Sequence, residues 1–210
     1  MFDNGALNLL LSSGADGSRS DQLGRTPLHL AAWAGNVKHI AVLLKFPEAL
    51  RQSVADQVVL SPEIVAEVAR HSLSVNKLTN LPCRPYVKST LPDDWSDGVD
   101  HNCDSIKEML PEFERKWTAL HAASARAQHL CVQLLLAAGA NATAQQMFLY
   151  RTPLDVAGWA HYLGHKIDVN NFIKTVDLLL KAGGKFQRCY RFNCLDTPLH
   201  TAVRLRARQP

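Results

Sequence analysis

No apolar run in this chain approaches the roughly 20 residues that a membrane-crossing helix needs, and Met1-Phe2-Asp3-Asn4 begins neither a basic nor an apolar leader. No membrane span and no targeting signal are therefore expected. Cysteine is scarce and odd in number, five in 210 residues, and has no framework spacing. That pattern argues against a disulfide scaffold and for reduced thiols in the cytosol or nucleus. In that setting the acceptor-like Asn141-Ala142-Thr143 is silent. Catalytic signatures are missing too: there is no phosphate-cradling Gly-Lys-Ser/Thr loop, no Gly-x-Ser-x-Gly turn and no His-Glu-x-x-His helix. Neither an enzyme nor a small-molecule substrate or cofactor is expected.

What the chain does have is repetition. Thr26-Pro27-Leu28-His29 returns as Thr118-Ala119-Leu120-His121, as Thr152-Pro153-Leu154-Asp155 and as Thr197-Pro198-Leu199-His200. Leucine-rich runs follow the first three copies, at Val42-Leu43-Leu44, Leu134-Leu135-Leu136 and Leu178-Leu179-Leu180. Thr is a favoured helix N-cap, and Pro at the first helical position gives up only an N–H that would have been unpaired. Each copy therefore announces a helix start. Leu28, Ala31 and Ala32 share one side of a short first helix, Gly35 ends it, and Ile40, Leu43 and Leu44 recur with the spacing of an amphipathic second helix. Gly139 stands where a left-handed C-cap is wanted. One such pair cannot bury its own apolar face, so the units must stack.

Together with Gly14-Ala15-Asp16 before it and Gly24-Arg25-Thr26 opening it, this register resembles the ankyrin repeat, a unit of about 33 residues built from a turn and two helices. The resemblance implies an all-α helix-turn-helix solenoid with short hairpin turns, here with one long irregular insertion. It covers about two thirds of the chain in about four copies. Residues 1–45 read as a partial first unit and a repeat, 46–116 as an insertion, 117–149 as a repeat, 150–187 as a repeat interrupted at 161–171, and 188–210 as an incomplete last repeat. Within the insertion, Ser61-Pro62-Glu63 followed by Ile64, Val65, Val68 and Leu73 predicts a helical part at 61–77, an extra helix or a degenerate repeat, and 79–114 reads as an acidic loop. Leu7 to Leu11 match only a second helix, and Leu199, Ala202 and Val203 lack one of their own. With neither end capped by polar residues, more chain is expected in the natural protein. Ala127 and His161 stand where a left-handed residue, normally Gly, follows the first helix, so modest stability is expected.

Charge is uneven although the net value is only +4. Asp93, Asp94, Asp97, Asp100, Asp104, Glu108, Glu112 and Glu114 make one stretch acidic; Lys181, Lys185, Arg188, Arg191, Arg204, Arg206 and Arg208 make the carboxyl end basic. Two solvated faces account for this, as does attraction to a partner or to each other. Nucleic acid is not expected, because no nucleic-acid-binding motif accompanies the basic end. Two metal patterns are weak. His161 and His165 with Cys189 and Cys194 suit zinc in ligand type but lie in separate loops. Asp93-x-Trp95-x-Asp97-Gly98 echoes a calcium loop but puts Trp95 at an oxygen-ligand position. No metal is expected.

In ankyrin repeats the hairpin tips and first helices line a concave groove that grips a partner protein. The resemblance carries that role to Trp33, Arg126, Trp159 and Arg204, seven or eight residues beyond each repeat Thr, and at the tips to Asp21, Leu23, Phe148 and Tyr190. Trp and Arg dominate binding hot spots, although Trp33 and Trp159 are equally consistent with core packing. The resemblance makes the repeat histidines His29, His121 and His200 structural. The expected function is a protein–protein interaction module, an adaptor or scaffold in the cytoplasm or nucleus, whose partner the sequence does not name. The alternatives are a regulatory module with the acidic insertion as a lid or phosphorylation-tuned motif, as at Ser105 or Thr90, or the recognition part of a larger ubiquitin-ligase, channel or signalling protein.

Overall fold

The computed structural model describes residues 5–21, 25–55, 60–71, 117–145, 151–161, 165–186 and 198–207. These are helical: α1 (Gly5–Ser12), α2 (Pro27–Ala34), α3 (Val37–Leu43), α4 (Glu48–Ala55), α5 (Pro62–His71), α6 (Ala119–Ala125), α7 (His129–Ala137), α8 (Val169–Lys181) and α9 (Pro198–Ala207), with a short 3₁₀ helix at Trp159–His161. No strand occurs among the described residues. The fold is an all-α solenoid of ankyrin type.

The repeat motif builds the inner row. Thr26 and Thr118 cap α2 and α6 in nearly the same extended conformation, φ −86°, ψ 163° and φ −84°, ψ 166°. Ala31, Ala32, Ala119, Ala122 and Ala123 are all buried where these helices meet. With so little side chain between them the two backbones approach closely, and α2 against α6 is the most extensive helix pairing among the described residues. Behind them runs the outer row, α1, α3, α7 and α8, whose leucines Leu43, Leu44, Leu134, Leu135 and Leu179 fill the core. Helix ends close alike. A residue at or just after the C-cap turns left-handed at Gly14, Gly35, Gly139 and Gly183, and does so without glycine at Lys45 (φ 56°) and Ala127 (φ 53°). The next N–H then reaches back five residues, as from Phe46 to Ala41 O (3.1 Å) and Gln128 to Ala123 O (2.9 Å), pairing carbonyls that the helix leaves open.

The third unit departs from expectation. Instead of an α-helix, residues 153–158 form consecutive turns that lead into the 3₁₀ helix. Gly158 adopts φ 74°, and its N–H bonds to Ser124 O of the second unit at 3.1 Å, away from its own turn. A Cβ there would fall 2.7 Å from the Phe172 ring and 2.8 Å from Thr201. The glycine thus lets α8 and α9 close on the backbone. The left-handed position expected at His161 is taken three residues earlier, by Gly158, while the one expected at Ala127 is present.

The described part of the insertion is helical in two pieces. Helix α5 begins as the Ser-Pro-Glu signal predicts; α4, which sequence reading does not anticipate, packs on α3. Helix α4 touches α5, and α5 rests on α7 through Val68 and Leu60, with the Gln133 side-chain amide donating to Leu60 O at 3.4 Å. The pair therefore lies along the outer row and leaves α2 and α6 neighbours. It is no extra stacked repeat. The chain from 72 to 116 lies outside the described residues.

Candidate partner-binding face

Two histidines staple the inner row. The Thr26 N–H donates to Nδ1 of His29 at 3.2 Å, and the Thr26 hydroxyl lies 2.7 Å from the same nitrogen. A ring nitrogen that accepts a backbone N–H carries no proton, so Nε2 is the protonated nitrogen. It donates to Trp117 O at 2.7 Å. His121 repeats the arrangement, with Thr118 N–H on Nδ1 at 3.2 Å and Nε2 donating to Arg151 O at 3.0 Å. Each staple thus reaches the carbonyl just before the next unit's Thr. Burial holds both imidazoles below their ordinary range, the His121 ring down to about 4. In the third unit Asp155 takes the histidine's place and accepts the Thr152 N–H at 2.9 Å, while Thr152 Oγ1 lies 2.9 Å from both Asp155 Oδ2 and Lys185 O.

The backbone that these staples hold carries an aromatic cluster. Ala122 and Ala125 on α6 are buried, and three indoles gather there: Trp33 from the first unit, Trp117 from the turn before α6 and Trp159 from the third unit. Trp117 is central, 6.4 Å from Trp33 and 5.7 Å from Trp159 between ring centroids, and it stacks on His121 at 6.3 Å. Two guanidiniums cover the outer rings. Arg126 lies 5.3 Å from the Trp33 centroid and Arg151 5.6 Å from that of Trp159, distances at which a cation is drawn to a ring face. His165 meets the Trp33 ring edge-on at 6.1 Å and 82°. A residue of the third unit's insertion thus reaches back past the second unit to the first. Its imidazole is held below the ordinary range, first by burial and then by the Arg126 charge.

The expected anchors fare differently. Trp33 and Arg126 are half-buried and stand together. Trp159, for which groove and core were both open, is only 3 % exposed and packs with Trp117 and Arg151, so it is core. Arg204 is exposed on α9, and Asp21 is exposed with its carboxylate 2.9 Å from the Arg25 guanidinium. Leu23, Phe148 and Tyr190 lie outside the described residues, as do Cys189, Cys194 and the calcium-like stretch at 93–104. His165 turns toward Trp33, and no group of three or more metal-ligating side chains gathers among the described residues. Sequence reasoning missed Trp117 and Arg151. Their signal was positional, since each directly precedes a repeat Thr, opposite a helix whose small residues leave room for rings.

Comparison with protein-family models matches residues 3–44 to ankyrin repeats (many copies) and residues 115–146 to a single ankyrin repeat. The two matches bracket the insertion and coincide with the stapled units. By motif, fold and these matches, residues 3–44 and 115–146 of the chain are ankyrin repeats.

Proposed function

We propose that this chain binds a partner protein on the inner-helix face, with Trp33 and Arg126 as its anchor. Ankyrin repeats are generally protein–protein interaction modules, and no described helix is long and apolar enough to cross a membrane. One observation carries the reading: of the three clustered indoles Trp33 alone stays half-exposed, with a guanidinium set against it. A rigid ring and a planar fork lose little conformational entropy on binding and gain much when desolvated. Comparing proteins retained from a lysate by the native chain, by Trp33→Ala, by Arg126→Ala and by Lys38→Ala on the outer row tests it. Partners lost with the first two variants and kept with the third support the face. Partners kept by all three variants move the binding site elsewhere, with the acidic insertion the next to test.

A further inference from the structure

Arg126 has an unusual balance sheet for a half-buried guanidinium. Its guanidinium lies over the Trp33 ring and its charge acts on His165, and no carboxylate among the described residues pairs with it. The described carboxylates are engaged elsewhere: Asp21 with Arg25, Glu48 with Arg51, Glu67 with Arg70 and Asp177 with Lys181. Asp155 holds Thr152, Asp168 caps α8, Asp16 binds Ser18, and Glu63 accepts from Ser61. A guanidinium drawn to a ring face still carries five N–H donors that can bond an acceptor. The exposed Leu30 stands one turn before Trp33 on the same helix, which sets an apolar contact beside the cation.

We propose that Arg126, laid on Trp33, is a carboxylate-binding subsite for an Asp or Glu of a partner protein segment whose apolar neighbour packs on Leu30 and Trp33. This deepens, and rests on, the proposed partner-binding role of the same face. A single planar fork matches one carboxylate bidentately. Phosphoryl groups are more often met by several cations, and among the described residues His165, its imidazole held below the ordinary range, is the basic group on which the Arg126 charge acts. The overall positive charge of the chain favours an acidic segment as well.

Short random peptides displayed on phage and selected against the full chain supply the probe. Selected sequences should be rich in Asp or Glu next to an apolar residue. Replacing that acid by Gln or Asn in the synthetic peptide should weaken binding to the native chain about tenfold, and should change nothing on Arg126→Gln. Arg126→Lys keeps the charge and loses the fork, so it should fall between, and thermal melts of both variants show whether they fold. Peptides without acidic bias, or acid dependence that survives in Arg126→Gln, overturn the subsite yet leave the face standing. If no peptide is selected, both readings fall. Tighter binding after Asp93, Asp94, Asp97 and Asp100 are changed to Asn would assign Arg126 to the chain's own acidic stretch and overturn the partner assignment.

Discussion

His29 and Trp117, 88 positions apart in the chain, are joined by a 2.7 Å hydrogen bond from the imidazole Nε2 to the backbone carbonyl. The bond crosses the whole insertion and ties the first unit to the second as closely as His121 ties the second to the third. The carbonyl it holds belongs to the central ring of the aromatic cluster. Stacking and the candidate site therefore share a support.

Removing a staple strands several buried groups at once. His121→Ala leaves the Thr118 N–H and the Arg151 carbonyl without their partner, and each stranded group costs about 1–3 kcal/mol. A loss of about 2–5 kcal/mol is expected, read as a lower urea midpoint. A change within about 0.5 kcal/mol would show that water replaces the ring without penalty.

The same rings make stability depend on pH. The folded-state value of His121, about 4, lies below its ordinary 6.5. The unfolded chain therefore binds the proton first, and stability is full above pH 6.5 and lost as pH falls toward 4. The complete loss is of order 3 kcal/mol, and His29 adds in the same direction. Much of it should already appear between pH 6.5 and 5, before ordinary carboxylates protonate. Urea midpoints that stay level across that window would show the rings are not desolvated as described.

Lys45 and Ala127 occupy left-handed turns at φ 56° and 53°, where a Cβ is unfavourable. Lys45→Gly and Ala127→Gly should each stabilise by about 0.5–1 kcal/mol. Gly158→Ala should do the reverse and cost about 3 kcal/mol or more, because its Cβ would strike Phe172 and Thr201. Thermal melts of the three variants check both signs together.

Burial separates two residues that look alike in the repeat register. Trp159→Ala should cost about 3–5 kcal/mol, since the ring is core. Arg126→Gln should change stability by less than about 1 kcal/mol, losing one half-exposed ring contact. Equal losses in denaturant unfolding would mean that Arg126 is structural and would weaken the proposed face.

The repeats were legible because their determinants are local. A Thr cap, a Pro at the first helical position and a glycine after the last turn act within a few residues, so α2, α3, α6 and α7 could be placed from sequence, as could the start of α5. Helix α4 escaped because it carries no Thr-Pro repeat signature and its packing is decided by α3 and α5. Trp33 and Arg126 of the proposed face were named from register alone; for Trp159 the same register left groove and core open, and burial decides for core.

What the sequence by itself determined is therefore the unit, its stacking and the histidines that lock it, since each follows from short-range backbone chemistry repeated in order. Tertiary structure alone decided the rest. Gly158 gave up its helix because Phe172 and Thr201 close on its backbone; α4 and α5 went to the outer row because the alanines of α2 and α6 already met. Trp117 and His165 converged on Trp33, and Trp159 on Trp117, and burial by neighbours so distant in sequence has no local signature.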